Sequence, residues 1–358
     1  MLNKRFVKQE INYLFLLKKT ERLWHFPLLA AICTGVPLLI SLYFDNLSSG
    51  ILSCLAGLVI LYFPTKSNIK DRMLSLLICS FGFMISFAVG SIFSFYPIVS
   101  ALTLGLFALA VHWLVLTLKT NPPGSFFFIF VASIASCMPF ELSTIPNKIG
   151  LIGLGTMFAC VVGLIYSLIT IHTIYDVKKR VIELEKNNYS NFIEAFIVGC
   201  FISGSLFIGL VFKMNNPYWI PVSCLAVMQG ASIRHIWRRS IHRILGTLLG
   251  LALCWFILSW SNSVLMVCFS IISLQFIIEM LIVRNYTLAV LFITPMTILL
   301  AETANPANLS IDQLIYTRFI DILIGSTLGA IGGYFIYHEK IRYAAVRRLR
   351  KMRIALIR

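Results

Sequence analysis

Long apolar runs are the feature that most limits what this chain can fold into. The sequence contains twelve of them, most about 17–23 residues long. An α-helix needs about 20 residues to cross a hydrocarbon layer roughly 30 Å thick, and it satisfies its own backbone hydrogen bonds there. With 59% hydrophobic and only 12% charged residues, the chain is too apolar for a soluble domain. It is therefore predicted to be an all-α polytopic membrane protein with about twelve transmembrane helices.

The predicted spans form two sets of six. They cover residues 26–44, 46–63, 73–93, 96–118, 126–140 and 149–171, then 192–212, 218–229, 244–260, 264–282, 286–300 and 319–337. The surrounding segments are predicted to be a cytoplasmic amphipathic segment (1–25), a first membrane repeat (26–171), a cytoplasmic linker (172–191), a second membrane repeat (192–337) and a basic cytoplasmic tail (338–358).

Short motifs recur between the two sets at a spacing of 170 or 171 residues. The matching pairs are Ser53-Cys54-Leu55-Ala56 with Ser223-Cys224-Leu225-Ala226, Arg72-Met73-Leu74 with Arg243-Ile244-Leu245, and Gly155-Thr156 with Gly325-Ser326. A common offset indicates a duplicated six-helix unit. Because six is an even number, both units enter the membrane from the same side, so the repeats are predicted to be parallel, with the substrate path between them.

The distribution of positive charge predicts the orientation. Even-numbered loops and both termini carry most of the Lys and Arg residues, as cytoplasmic segments do. The chain is therefore placed in the bacterial inner membrane with its N- and C-termini in the cytoplasm. The net charge of +16 lies beside the spans with few stacking aromatics nearby, so anionic lipid at the basic tail is expected as a partner, and nucleic acid is not.

No enzyme signature is visible in the sequence. It has no phosphate-binding loop, no zinc-protease motif and no nucleophile elbow, and its nine cysteines lie inside apolar runs without metal-type spacing. We therefore expect neither catalysis nor a cofactor. Energy for any transport would have to come from a gradient, and protons are among the expected partners.

Three ionisable residues within the spans are candidates for handling protons. Glu279 follows Gln275 by four residues on one helical face, and burial disfavours an ionised carboxyl, although Glu279 also lies close enough to the helix end to snorkel. Asp321 follows Arg318 by three residues, so these two are candidates for an ion pair. Proton coupling is assigned to Glu279 and Asp321. For His112, a hydrogen bond between helices is favoured over a proton relay.

Basic residues at 234–243 form a predicted cytoplasmic loop. Arg234, Arg238 and Arg239 are assigned attraction of an organic anion, although the positive-inside rule alone also accounts for them. Arg243 and Arg318 are assigned to orient a substrate carboxylate or, alternatively, to stabilise helix ends. These five arginines are the predicted substrate-binding residues.

Several motifs in the second half resemble those of a known family. They are Asn216-Pro217-Tyr218-Trp219, Arg243-Ile244-Leu245-Gly246-Thr247 and Arg318-Phe319-Ile320-Asp321 with Gly325. The order of these motifs over residues 192–337 is similar to that of the fusaric acid resistance family, which includes aromatic carboxylic acid exporters. The resemblance implies an inner-membrane, proton-driven efflux transporter of small organic acids.

Two alternatives remain open. The family is also similar to plant anion channels that transport malate, so the helices are alternatively read as an organic-anion channel. The third reading is a non-transporting envelope scaffold. Whether the chain assembles into a homo-oligomer is left open by the sequence.

Overall fold

The computed structural model describes residues 17–20, 22–65, 67–120, 122–170, 188–260, 263–304, 311–339, 343 and 346–347. Most of the predicted N-terminal amphipathic segment, most of the linker and most of the basic tail lie outside these described residues. Their predicted roles at the membrane surface therefore stay predictions.

The described part of the chain consists of helices and contains no strand, which confirms the predicted all-α class. The helices are α1 (His25–Tyr43), α2 (Leu47–Gly57, extended by the 3₁₀ turn Leu58–Tyr62), α3 (Ile69–Ile92), α4 (Pro97–Thr117), α5 (Phe126–Ala135), α6 (Ile145–Ile169), α7 (Asn188–Val211), α8 (Trp219–Met228), α9 (Ile233–Trp260), α10 (Val264–Leu281), α11 (Tyr286–Ala304) and α12 (Ile311–Tyr337). Eight of these twelve are long and apolar enough to cross a membrane.

Three helix boundaries differ by five residues or more from those predicted. Helix α9 begins at Ile233 rather than at residue 244, because the Ser232 hydroxyl accepts a hydrogen bond from the His235 backbone N–H (3.2 Å) and so caps a cationic first turn. Helix α12 begins at Ile311, since its first turns are polar yet still helical. Helix α5 ends at Ala135, shortly before Pro139, which disfavours helical backbone in the residue preceding it.

The described helices fall into two compact units. Unit 1 comprises residues 1–81, 147–176 and 241–319, and unit 2 comprises residues 82–146, 177–240 and 320–358. Each unit therefore draws helices from both halves of the sequence. Within these ranges, only the described residues are considered below.

Helices α1 and α10 pack against each other in unit 1. They run antiparallel, because Arg22, just before α1, contacts Glu279, whereas Gly35, further along α1, faces the earlier residue Ile272. A Cβ atom added at Gly35 would lie 2.5 Å from the Ile272 side chain. The small residue thus allows the two helices to approach closely.

Helices α4 and α7 play the matching role in unit 2. A Cβ atom at Gly105 would lie 2.8 Å from the Gly199 carbonyl oxygen, and one at Gly199 would lie 2.7 Å from the Gly105 carbonyl oxygen. Around this contact, Leu104, Ile202 and Leu206 belong to one buried apolar cluster. Two glycines facing each other bring these backbones together.

The helix pairings of the two units correspond to each other. In each unit, the first helix of one predicted repeat packs on the fourth helix of the other, as α1 with α10 and α7 with α4. Close glycine contacts correspond as well, since Gly155 meets Ser53 in unit 1 and Gly325 meets Ser223 in unit 2. Both of these pairs are related by the offset of 170 residues. The predicted duplication would produce this pattern.

Close glycine packing leads to a stability prediction within unit 2. A Cβ atom at Gly325 would lie 2.5 Å from the Ile220 carbonyl oxygen, whereas one at Gly204 would meet no heavy atom within 4 Å. We expect Gly325→Ala to lower the melting temperature in detergent, because overpacking costs about 1–3 kcal/mol. Gly204→Ala should leave it unchanged or raise it, since alanine favours helix by about 1 kcal/mol. Equal melting temperatures for the two variants would contradict this packing.

Candidate functional site

Unit 1 contains an ion pair between the half-buried Arg22 and the buried Glu279. Arg22 Nη2 donates to Glu279 Oε2 at 2.8 Å, and Arg22 Nη1 donates to the Glu279 carbonyl oxygen at 3.3 Å. Glu279 is only 5% exposed, and its neighbour on the preceding turn, Gln275, is 2% exposed. Glu279 is therefore shielded by protein atoms; its proton-coupling role and the alternative in which it snorkels to the membrane surface both stay predictions.

The short segment before α1 makes two further contacts, one with a residue just after α10 and one with α1 itself. The Lys18 backbone N–H donates to the Arg284 carbonyl oxygen at 3.1 Å, and the Arg22 guanidinium lies 4.3 Å from the centre of the Phe26 ring. A cation above an aromatic face is stabilised by the ring quadrupole. The hydrogen bonds to Glu279 and the contact with the Phe26 ring thus hold the Arg22 guanidinium in place as the counter-ion of Glu279.

Besides the buried Arg72, unit 1 contains two buried arginines that donate to hydroxyl groups on α11. Arg243 Nη1 on α9 donates to the Tyr286 hydroxyl at 3.1 Å, and Arg318 Nη2 on α12 donates to the Thr297 hydroxyl at 3.0 Å. Both guanidinium groups are largely shielded, with residue exposures of 6% for Arg243 and 4% for Arg318. Helix α11 thus supplies an oriented polar partner to each.

Two glycines of α9 allow this helix to pack close to α11. A Cβ atom at Gly246 would lie 2.8 Å from the Thr287 carbonyl oxygen, and one at Gly250 would lie 2.6 Å from the Leu291 carbonyl oxygen. These glycines allow the two helices to pack closely. Because α9 approaches α11 so closely, Arg243 reaches the start of that helix.

Two interpretations of the arginines as helix-end residues are wrong. Arg318 lies seven residues after the first residue of α12, and Arg243 lies ten residues after the first residue of α9. Helix dipole effects fall off within the first turn, so neither arginine acts as an N-terminal anchor. Their burial next to α11 leaves the other assignment, orientation of a carboxylate, as a prediction.

The remaining predicted residues belong to unit 2. Arg234, Arg238 and Arg239 lie on the first turns of α9, so the predicted loop is helical instead, for the capping reason given above. Arg234 is exposed, and Arg239 Nη2 donates to Gln229 Oε1 at 3.5 Å. Asp321 on α12 is buried, at 1% exposure. Its predicted pairing with Arg318 and its proton-coupling role stay predictions.

Sequence reasoning missed Arg22, Tyr286 and Thr297 as site residues. Arg22 and Glu279 are 257 positions apart, and nothing in either local pattern shows that α1 lies against α10. Tyr286 and Thr297 look like ordinary residues of an apolar run. The sequence offered only a weak signal for Tyr286, namely that it begins the apolar run that follows Arg284.

The Arg22–Glu279 contact predicts an asymmetric response to mutation. Arg22→Gln should lower the free energy of unfolding by about 2–3 kcal/mol, because it leaves a buried carboxylate without its cation. The double variant Arg22→Gln with Glu279→Gln should lose much less than the sum of the two single variants. Thermal unfolding in detergent measures this, with Lys19→Gln, an exposed cation of the same segment, as control. Additive losses would contradict the pair.

Comparison with known proteins agrees with the membrane architecture. Residues 202–332 match the model of the family described as fusaric acid resistance protein-like, within the region where the motifs predicted the resemblance. A Bacillus subtilis protein, described as uncharacterized membrane protein YvaC, is 32% identical over 147 residues, which make up 41% of this chain and 23% of that protein. The matched part thus spans about a quarter of the relative's length. No solved structure is significantly similar to the chain. The chain is a multi-pass membrane protein whose residues 202–332 match the family described as fusaric acid resistance protein-like.

Proposed function

We propose that the protein exports small organic anions, aromatic carboxylates foremost, across the bacterial inner membrane at the expense of the proton-motive force. The observation that carries the proposal is the composition of unit 1, where a buried carboxyl with its counter-ion and two buried guanidinium groups lie in one helical unit. Ionisable groups inside membrane proteins mark substrate and ion pathways, because each costs about 2.5–3.5 kcal/mol on insertion scales. The family match supports the same class of activity.

Arg243 and Arg318 are the proposed carboxylate-binding residues. A guanidinium presents a planar fork of donors that matches the two oxygens of a carboxylate, which a lysine ammonium does not. The Tyr286 and Thr297 hydroxyls orient these two groups without adding negative charge. An aromatic ring on the substrate would suit the apolar surroundings of the helices.

Glu279 is the proposed proton-coupling group, with Asp321 as a second candidate. A proton on Glu279 cancels the negative charge that holds Arg22, so it weakens the tie between the segment before α1 and the end of α10. Proton binding would thus change how firmly these two elements of unit 1 are joined. A chemical step of this kind is what a proton-driven carrier requires.

The proposed orientation places the start of α9 and both termini in the cytoplasm. Antiparallel packing of α1 with α10, and of α4 with α7, agrees with pairs of odd-numbered and even-numbered spans. The basic residues Arg234, Arg238 and Arg239 would then face the compartment from which the anion leaves, and would raise its local concentration there.

The proposal is tested by measuring flux of benzoate from proteoliposomes with and without an imposed pH gradient. Wild-type protein should show gradient-dependent flux. The substitution Glu279→Gln should reduce this flux by about tenfold or more. Glu141→Gln, which removes an exposed carboxylate, is the control and should transport normally. Flux that ignores the pH gradient but follows voltage would indicate a channel instead. No flux with any of a panel of organic acids would indicate a scaffold.

Arginine variants test the anion site separately. In the same assay, Arg318→Lys and Arg243→Lys should raise the half-saturating benzoate concentration by about tenfold, equal to about 1.4 kcal/mol, because a point charge replaces a bidentate donor. Arg234→Gln should reduce flux only at low ionic strength, since an exposed charge acts by steering. Lysine variants with unchanged half-saturation would remove these residues from the site.

A further inference from the structure

Unit 2 contains a half-buried histidine that the proposed transport mechanism does not use. We propose that His112, together with Ser125 and Glu194, forms a second proton-binding site, located in unit 2. This inference does not rest on the proposed transport activity, because it concerns the protonation of three side chains and can be measured without a substrate.

The three side chains come from three different helical elements. His112 lies on α4, Ser125 immediately precedes α5, and Glu194 lies on α7. The distance from His112 Nδ1 to Ser125 Oγ is 2.8 Å, and the distance from His112 Nε2 to Glu194 Oε1 is 3.7 Å. The side chains of His112 and Glu194 are 14% and 25% exposed, respectively. An imidazole is therefore held between a hydroxyl and a carboxylate.

Ser125 is suited to both protonation states of the imidazole. A serine in front of a helix usually accepts a hydrogen bond from the first turn, but the Ser125 side chain makes no such cap bond and bonds to His112 instead. Its hydroxyl can donate to Nδ1 of the neutral ring or accept from the Nδ1–H of the imidazolium. Addition of a proton therefore does not cost His112 this hydrogen bond.

Glu194 stabilises the protonated state of the imidazole. At 3.7 Å the carboxylate lies just beyond hydrogen-bond reach of Nε2, which makes no hydrogen bond within the described part of the chain. When both ring nitrogens carry protons, the contact becomes an ion pair between imidazolium and carboxylate, and a small approach closes it to a charge-assisted hydrogen bond. Histidine is the side chain that changes charge near neutral pH.

Few other charged groups lie on the elements packed against His112. Helix α5 carries no ionisable residue, and the described ionisable residues of α7 besides Glu194 are Tyr189 and Cys200. On the α4 side, the next charged residue is Lys119, which follows the helix and is exposed. Glu194 is thus the anion on these elements that responds to a charge on His112.

The position of His112 in unit 2 corresponds to that of Glu279, the partner of Arg22, in unit 1. His112 lies fifteen residues after the first residue of α4, and Glu279 lies fifteen residues after the first residue of α10. Each meets a charged partner near the start of the helix packed on it, Glu194 in one unit and Arg22 in the other. Protonation has opposite effects on the two pairs: a proton on Glu279 breaks its ion pair with Arg22, whereas a proton on His112 creates an ion pair with Glu194.

A double-mutant cycle at two pH values tests the proposal. We would compare melting temperatures in detergent of wild type, His112→Gln, Glu194→Gln and the double variant at pH 5.5 and pH 8, which lie on either side of the usual histidine titration. A stabilising coupling of about 1–3 °C is expected at pH 5.5 and none at pH 8. Equal coupling at both values would mean a structural contact only, and would overturn the inference.

Three further measurements support this test, two as controls and one as a replacement. The same cycle on Arg22 and Glu279 should show no increase at pH 5.5, and an increase there would reveal a general pH effect on the fold, which also overturns the inference. His112→Lys, a permanent cation, should couple to Glu194 at both pH values. If the His112 variants do not fold, the cycle is replaced by ¹⁵N spectra of the six histidines, recorded in nanodiscs over a range of pH. One imidazole should take up its proton at lower pH in Glu194→Gln, but not in Glu141→Gln; unchanged spectra would contradict the site.

Discussion

Close approach of helix backbones is the constraint on which the rest of this structure depends. In a bilayer, lipid tails are as apolar as leucine side chains, so helices gain little from hiding apolar surface and associate through tight packing of small residues. Gly35 against Ile272 in unit 1, and Gly105 against Gly199 in unit 2, show this packing. Only because these helices meet so closely can side chains as short as Glu279 and Glu194 reach partners on another element.

Several charged groups in this interior are held by a specific neighbour. Arg22 binds Glu279, Arg243 binds the Tyr286 hydroxyl, and Arg318 binds the Thr297 hydroxyl. A buried charge without a partner is strongly unfavourable, so these contacts restrict the arrangements that the helices can adopt. A proton or a substrate anion that alters one contact therefore alters the relative stability of those arrangements. Small ligands can act on a membrane protein in this way.

Much of the fold could be predicted from the sequence, whereas the contacts of the site could not. Apolar run length gave the start of α10 at Val264 and the start of α11 at Tyr286, because bilayer thickness sets the length of a span. It failed at α9, whose first turns are cationic but capped by Ser232. The sequence left burial and snorkelling of Glu279 open, and its partner Arg22 lies 257 positions away, so that only tertiary packing joins them. Long-range partners of this kind carry no local signal.

The central claim is that movement of an organic anion is coupled to protons inside this protein. The most direct measurement is the membrane potential at which net benzoate flux through proteoliposomes is zero, determined at two different pH gradients. For a coupled carrier, this reversal potential shifts when the pH gradient changes, and Glu279→Gln abolishes the shift. A reversal potential that stays at the equilibrium potential of benzoate, whatever the pH gradient, would contradict the claim and identify the protein as a channel.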